Sequence, residues 1–151
     1  MIDSKVDLGF IKDKRVVLLQ SGGLDSCYLA CLFNRYNFEE IHHIFIDYGQ
    51  NARVQEKASA EKIVKEYGGE LHCVTLDMPW LKDATLLNGG EVETYDLGVL
   101  KAVEVGVYVP MRNHIFLSIA SSLAEYKKIK YIASGLDGLQ DIWGNPLGGT
   151  T

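Results

Sequence analysis

Short apolar runs alternate along the chain with longer stretches in which apolar residues recur every three to four positions. The runs are rich in leucine and β-branched residues, which predicts buried strands, and they cover Arg15–Leu19, 41–47, 71–76 and 130–133. The helical period predicts amphipathic helices at 26–36, at Arg53–Tyr67 and from Asn113 onwards. Strands that alternate with helices predict an α/β fold, in which a parallel sheet lies between two layers of helices.

Two regions show neither the short apolar runs typical of strands nor the helical period. Residues 78–106 predict a loop that covers the sheet, with a short helix near 80–87. Residues 134–151 contain five glycines and one proline and predict no regular element. Two adjacent histidines, His42 and His43, fall within the second strand, and we interpret them as residues of a strand edge rather than as ligands.

Length and composition narrow the class of protein. The 151 residues predict one domain, 1–151, with a sizeable core. A net charge of −5 argues against a broad nucleic-acid surface. Neither a membrane-spanning apolar run nor a signal-peptide core is found, so we expect a cytoplasmic protein without a membrane or nucleic-acid partner. The three cysteines give no disulfide framework, and the spacing of Cys27 and Cys31 does not by itself make a zinc site.

The first strand runs directly into Ser-Gly-Gly-Leu-Asp-Ser at residues 21–26, and a helix follows. Gly22 and Gly23 carry no Cβ, so the turn can be tight and a ligand can approach its backbone. The start of a helix offers unpaired N–H groups and the positive end of the helix dipole, which together predict a phosphate site. The spacing matches neither the Walker loop nor the dinucleotide fingerprint. A plain loop with an Asp-Ser helix cap is the alternative that this segment alone leaves open.

Further polar residues follow the other predicted strands. Residues 47–50 end the second strand, Arg112 and Asn113 begin the last helix, and residues 134–137 follow the fourth strand. In parallel sheets, ligands bind beyond the carboxyl ends of the strands, so this distribution predicts one shared site. Taken singly, each residue has an alternative role outside a binding site: Asp47 could cap the end of a strand, and Arg112 could form an ion pair at the surface.

Three blocks of sequence together resemble the 7-cyano-7-deazaguanine synthase (QueC) family. The Ser-Gly-Gly-Leu-Asp-Ser segment resembles the PP-loop of the ATP pyrophosphatase superfamily. The more specific blocks are F-I-D-Y-G-Q at 45–50 and V-P-M-R-N-H-I-F-L-S at 109–118. The resemblance covers about 15–137, and it implies an adenine nucleotide alpha hydrolase-like (PP-loop ATPase) fold.

The resemblance also implies the roles of individual residues. Nucleotide binding is implied for Gln20, Ser21, Gly22, Gly23, Leu24, Asp25, Ser26, Phe45, Asp47 and Gly135. Catalytic roles are implied for Ser21, Asp25, Ser26, Arg112 and Asn113, with Asp25 facing Mg²⁺ or pyrophosphate. Substrate contacts are implied for Tyr48, Gln50, Arg112, Asn113 and Asp137. The implied cofactors are ATP and Mg²⁺.

The implied activity is an ATP-dependent carbon–nitrogen ligation in queuosine biosynthesis. The carboxylate of 7-carboxy-7-deazaguanine is adenylated, ammonia converts it to the amide, and an ATP-driven dehydration gives the nitrile. A carboxylate is a poor electrophile, and a mixed anhydride with AMP supplies the leaving group, so the protein mainly positions reactants and stabilises charge. The expected partners are small molecules, and a homodimer is the expected assembly if the chain self-associates.

The chain departs from the family in two places. Members carry a Y-P-D-C-R block after the fourth strand, whereas residues 141–149 read D-I-W-G-N-P-L-G-G. Members also carry a C-terminal cysteine cluster that binds Zn²⁺, and its ligands are absent from this sequence. We therefore expect a fragment in preference to a divergent relative. An adenylating enzyme for another acid or acceptor, and a non-catalytic nucleotide-binding remnant, are the alternative functions.

Overall fold

Four parallel strands form the sheet within the described part of the chain. The computed structural model describes residue 8, residues 11–81, residue 109 and residues 111–135. The strands are β1 (Arg15–Leu19), β2 (Glu40–Asp47), β3 (Glu70–Thr75) and β4 (Ile132–Ser134). The helices are α1 (Leu24–Arg35), α2 (Arg53–Tyr67) and α3 (Arg112–Lys127), and a one-turn 3-10 helix covers Pro79–Leu81.

The order of the strands creates a switch point beside β1. The sheet has the order β3-β2-β1-β4, so the chain builds outward from β1 to β3 and then returns to the other side of β1 for β4. Val17 of β1 pairs with His42 of β2 and with Ile132 of β4. A crevice opens at the carboxyl ends of such strands because the connections on the two sides of β1 lead away from each other.

Both faces of β1 are buried, because its side chains alternate between two hydrophobic clusters. Val16 and Leu18 pack with α1 and α2, in a cluster that includes Phe33. Val17 and Leu19 pack on the opposite face, where α3 contributes Ala120 and Ala124. A strand that is covered on both faces reads as a continuous apolar run, which is what the sequence of β1 predicts. The three-layer α/β architecture is therefore confirmed.

The predicted elements are confirmed, with shifts at their ends. β1 and α2 have the predicted bounds, α1 begins two residues earlier than predicted, and β4 lies one to two residues later. The last helix, predicted from Asn113 onwards, begins one residue earlier, at Arg112. Its N-cap is Met111, which has a left-handed φ of 56° and makes no side-chain cap bond. The 3-10 helix falls at the start of the predicted short helix, and the rest of the predicted covering loop lies outside the described residues.

The interpretation of His42 and His43 as residues of a strand edge is wrong. β2 lies between β3 and β1, and both side chains are buried. Each ring is accommodated because its nitrogens have partners. His43 Nε2 lies 3.0 Å from the carbonyl oxygen of Gly68, and His42 Nε2 lies 2.6 Å from Glu40 Oε1. Adjacent polar residues in a strand therefore mark satisfied interior groups here, one on each face of the sheet.

None of the helices in the described ranges combines the length and the apolar character that crossing a membrane requires.

Two adjacent glycines after α2 offer a test of the packing around His43. Gly68 and Gly69 both have positive φ (85° and 105°), so alanine strains the backbone at either position by about 1–3 kcal/mol. A Cβ at Gly68 meets nothing within 4 Å, whereas one at Gly69 lies 2.6 Å from the carbonyl oxygen of Ile41 and 2.8 Å from the His43 ring. We expect Gly69→Ala to lower the free energy of unfolding by about 1–3 kcal/mol more than Gly68→Ala does. Urea denaturation measures this difference, and equal losses contradict the packing described.

Candidate functional site

One cavity of about 280 Å³ lies at the carboxyl ends of β1, β2 and β4. The first residues of α1 and α3 reach it from opposite faces of the sheet. It therefore occupies the switch point, as the sequence predicts. Nine residues that the resemblance implied for the site line this cavity: Gln20, Ser21, Ser26, Phe45, Tyr48, Gln50, Arg112, Asn113 and Gly135.

Hydrogen bonds hold the loop between β1 and α1 in one conformation. Buried Gln20 donates from Nε2 to Ser26 Oγ at 3.1 Å, and Ser26 Oγ in turn donates to the carbonyl oxygen of Gly23 at 3.0 Å. Ser21 Oγ accepts from the backbone N–H of Gly23 at 3.3 Å. Ser21 Oγ also lies 3.3 Å from Ser26 Oγ. The two hydroxyls at the mouth of the loop are therefore held side by side, ready to meet one ligand group.

His43 supports this loop from inside the protein. Its Nδ1 lies 3.4 Å from Gln20 Oε1, while its Nε2 faces the carbonyl oxygen of Gly68. Burial lowers the pKa of His43 below its usual value, so the ring is neutral at pH 7. A neutral ring donates one N–H, which the Gly68 carbonyl accepts at Nε2. In this tautomer Nδ1 carries no hydrogen, so His43 packs against Gln20 Oε1 without a hydrogen bond and adds no charge near the cavity.

Two glycines are required by close approaches within the protein itself. Gly22 has a φ of 78°, and a Cβ there would lie 2.3 Å from the carbonyl oxygen of Glu56 on α2. Ser59 Oγ donates to the carbonyl oxygen of Gly22 at 2.7 Å, which ties the loop to α2. At Gly135, a Cβ would lie 2.6 Å from the Cβ of Asp25. Gly22 thus lets α2 approach the loop, and Gly135 lets the start of α1 approach the end of β4.

The turn after β2 is built by its own polar side chains. Asp47 Oδ1 accepts from the backbone N–H of Gly49 at 3.0 Å. Gln50 is buried, and its Oε1 accepts from the N–H of Tyr48 while its Nε2 donates to the carbonyl oxygen of Ile46 and to Glu56 Oε2. Every polar atom of the Gln50 side chain therefore has a partner within the protein. Gln50 shapes the cavity wall by holding this turn against α2.

The start of α3 brings a positive charge and a buried amide to the opposite wall. Met111 adopts the left-handed conformation that non-glycine residues rarely occupy, and such strain is concentrated at functional sites. Arg112 Nη1 donates to the Tyr48 hydroxyl at 3.4 Å. Tyr48 also packs against Phe116, with ring centroids 5.4 Å apart. Asn113 Oδ1 is buried and has no hydrogen-bond partner among the residues that the structure describes, so we consider it an acceptor for a donor from a ligand.

Five of the residues implied for nucleotide binding do not line the cavity: Gly22, Gly23, Leu24, Asp25 and Asp47. The Leu24 side chain is 84% exposed at the first position of α1, and the nucleotide-binding role implied for Leu24 stays a prediction. Asp25 is exposed in the first turn of α1, and its Cβ borders Gly135. Asp137 lies outside the described residues.

Sequence reasoning missed three polar or aromatic residues of the cavity wall. Glu56 comes from the first turn of α2, Phe116 from α3, and Ser134 from the end of β4. The signal for Glu56 was its place at the start of the helix that follows 47–50, where a carboxylate complements the helix dipole. Phe116 belongs to the sequence block at 109–118, but no role was assigned to it. Ser134 belonged to the polar cluster after the fourth strand, but no role was assigned to it.

Comparisons with known proteins identify the same family that the three blocks of sequence resemble. The family model "Queuosine biosynthesis protein QueC" matches residues 15–146. A 7-cyano-7-deazaguanine synthase from Methanobrevibacter smithii is 35% identical over 133 residues, which are 82% of this chain and 57% of that protein. One from Thermoplasma acidophilum is 38% identical over 112 residues, which are 74% of this chain and 46% of that protein. The chain thus spans about half the length of these curated relatives.

Among solved structures, an NH3-dependent NAD synthetase from Campylobacter jejuni aligns with a TM-score of 0.49 at 20% identity. The alignment covers 81% of this chain and 47% of that one. Membership of a family rests instead on the match to residues 15–146 and on the identity to relatives. The chain belongs to the QueC family.

Proposed function

We propose that this chain binds ATP at the cavity and serves as the nucleotide-binding domain of a 7-cyano-7-deazaguanine synthase. The observation that carries the proposal is the convergence of two helix N-termini on one cavity, in a chain of the QueC family. Helix N-termini attract anions through their unpaired N–H groups and their dipole. Arg112 adds a full positive charge in a planar fork that suits phosphate or carboxylate.

The walls of the cavity support a nucleotide with an apolar and an anionic part. Leu19, Ile44 and Phe45 supply an apolar wall, which suits a flat heterocycle such as adenine. The Ser21 hydroxyl at the loop can donate to a phosphate oxygen, whereas the Ser26 hydroxyl beside it already donates to the carbonyl oxygen of Gly23. The two walls meet at the carboxyl end of β1, so one extended molecule can contact both.

The proposed role of Asp25 is to hold Mg²⁺ beside the phosphates. Magnesium is bound in such sites by one or two carboxylates together with substrate phosphates, and an exposed carboxylate in the first turn of α1 fits this donor set. When bound, the ion neutralises charge on the phosphates and on the pyrophosphate leaving group. Because Gly135 has no Cβ, the end of β4 lies close to the Cβ of Asp25, and this contact restricts the position of the Asp25 carboxylate.

The proposed reaction starts with the carboxylate of 7-carboxy-7-deazaguanine attacking the α-phosphate of ATP, which releases pyrophosphate. Ammonia then displaces AMP to give the amide, and a second ATP-driven step removes water to give the nitrile. Arg112 and Asn113 hold the reacting anion, and the α1 and α3 dipoles stabilise the negative charge that builds up at the phosphorus. Ammonia as acceptor, the C-terminal zinc of the family, a homodimer and a cytoplasmic location remain predictions.

A pyrophosphate-release assay tests the proposed function. The chain, and the longest reading frame that contains it, are supplied with ATP, Mg²⁺, 7-carboxy-7-deazaguanine and ammonium, and products are identified by mass spectrometry. We expect pyrophosphate release that requires the acid, with the nitrile as product. A different product from a panel of acids and amines favours the divergent adenylating enzyme, and ATP binding without turnover in the longer protein favours the remnant. Absence of ATP binding by calorimetry contradicts the proposal altogether.

Asp25→Asn separates a role in metal binding from a role in stabilising the start of α1. Asp25 lies in the first turn of α1, whose N-cap is Gly23, so asparagine removes only the interaction of a charge with the helix dipole, and the free energy of unfolding should fall by about 1 kcal/mol or less. Loss of the charge should cost roughly 2–4 kcal/mol of transition-state stabilisation, measured as pyrophosphate release. Asp13→Asn is the control, because Asp13 pairs with Arg15 at the other end of β1 and its loss should affect stability alone. Wild-type turnover with a lower melting temperature in Asp25→Asn means that Asp25 only stabilises the start of α1.

Asn113→Leu tests whether the unpartnered amide oxygen serves a ligand. Leucine removes a buried acceptor that has no partner within the described ranges, so the protein should melt at the same or a higher temperature. The affinity for ATP or for the acid should nevertheless fall at least tenfold, as measured by calorimetry. Asn34→Leu is the matched control, since Asn34 donates to the carbonyl oxygen of Tyr67 at the far end of α1. An Asn113→Leu protein that is less stable but binds both ligands normally assigns Asn113 to packing.

A further inference from the structure

Two histidines and a glutamate lie together at the amino end of the sheet, away from the cavity. His42 of β2 pairs in register with Glu70 of β3, and His72 follows two residues along β3. Side chains two residues apart on a strand share a face, so Glu70 and His72 project on the same side. This is the α3 face, because Lys127 of α3 lies 3.8 Å from Glu70 Oε2. We propose that His42, Glu70 and His72 bind a divalent transition-metal ion, with Zn²⁺ as the preferred cation.

The distances among the three donor atoms fit one tetrahedral ion. His42 Nδ1 lies 2.9 Å from His72 Nε2 and 3.3 Å from Glu70 Oε2, and His72 Nε2 lies 3.7 Å from the same oxygen. Ligand atoms at about 2.0–2.2 Å from a tetrahedral zinc are separated by about 3.3 Å from each other. Two imidazoles and one carboxylate are a known zinc donor set, and imidazole nitrogen selects zinc over magnesium.

A second carboxylate holds the buried ligand in the form that binds metal. Glu40 Oε1 lies 2.6 Å from His42 Nε2, so the ring N–H is at Nε2 and the lone pair at Nδ1 faces the other two donors. Histidine ligands in metal sites regularly donate their second N–H to a carboxylate in this way. The His42 side chain is only 4% exposed, which limits the ring to this orientation.

Two features of the cluster compete with a metal. A hydrogen bond from His72 Nε2–H to His42 Nδ1 accounts for the 2.9 Å distance in the metal-free protein, and zinc must displace that proton. Lys127 also reaches Glu70, which zinc and the ammonium group would share. The Glu70 side chain is 59% exposed, so water can complete the coordination and Lys127 can move away. Bound zinc would join β2 to β3 through side chains.

The test is a zinc titration of the chelator-treated, full 151-residue chain by calorimetry, with Mg²⁺ as the comparison cation. His72→Gln removes a partly exposed ligand, and His114→Gln is the matched control, because His114 is exposed at the other end of the molecule on α3. Cys73→Ser is a second control, since Cys73 is an exposed thiol beside His72. Melting temperature without metal checks that each variant folds, and Glu70→Gln replaces His72→Gln if that variant does not fold.

We expect zinc to raise the melting temperature of the wild type and magnesium to leave it unchanged. Glu40→Gln should weaken zinc binding by about 10–100-fold, and His72→Gln should weaken it further. The two control variants should bind zinc with an affinity within about twofold of the wild type, because a change in a zinc ligand or its partner is expected to lower the affinity by about tenfold or more. Equal zinc affinity in the wild type and His72→Gln, loss of binding in Cys73→Ser, or no binding by the wild type would each overturn the proposal.

Discussion

The candidate site depends on two places where backbone approaches backbone without a Cβ in between. At Gly22 the loop after β1 lies against the carbonyl group of Glu56, and at Gly135 the end of β4 lies against Asp25. These contacts bring α2 onto the loop and the first turn of α1 onto the end of β4. The hydroxyls of Ser21 and Ser26 take their positions from that arrangement. Any larger residue at either glycine would push apart the elements that form the cavity.

Most of the fold could be predicted because β1 and its neighbours carry patterns with one physical meaning. A strand covered on both faces must be apolar throughout, and the sequence of Arg15–Leu19 satisfies this requirement over nearly its whole length. The position of the site was also predictable, since polar residues follow each strand at the same edge of the sheet. Gln20, Ser26, Arg112 and Asn113 line the cavity, and the roles implied for them stay predictions.

The errors arise where a side chain's role is decided by partners distant in sequence. His43 contacts Gly68 and Gln20, which are distant from it in sequence, so the local sequence pattern does not predict these contacts. Leu24 belongs to the loop motif by sequence, yet the direction of the first helical residue places it in solvent. Gln50 looks like a ligand residue, but its amide is fully used in holding its own turn. The periodicity of a sequence indicates which apolar side chains are buried, but it does not indicate which hydrogen-bond partners the polar groups have.

The length of β2 has a consequence for how the molecule can vary. Glu40 and His42 belong to its amino end, whereas Phe45 and Ile46 belong to the cavity at its carboxyl end. At about 3.3 Å per residue, His42 and Ile46 are separated by about 13 Å of strand that pairs with β3 over its whole length. Ion pairs and histidines at one end can therefore be exchanged during evolution, or by an engineer seeking stability, while the chemistry at the other end is conserved.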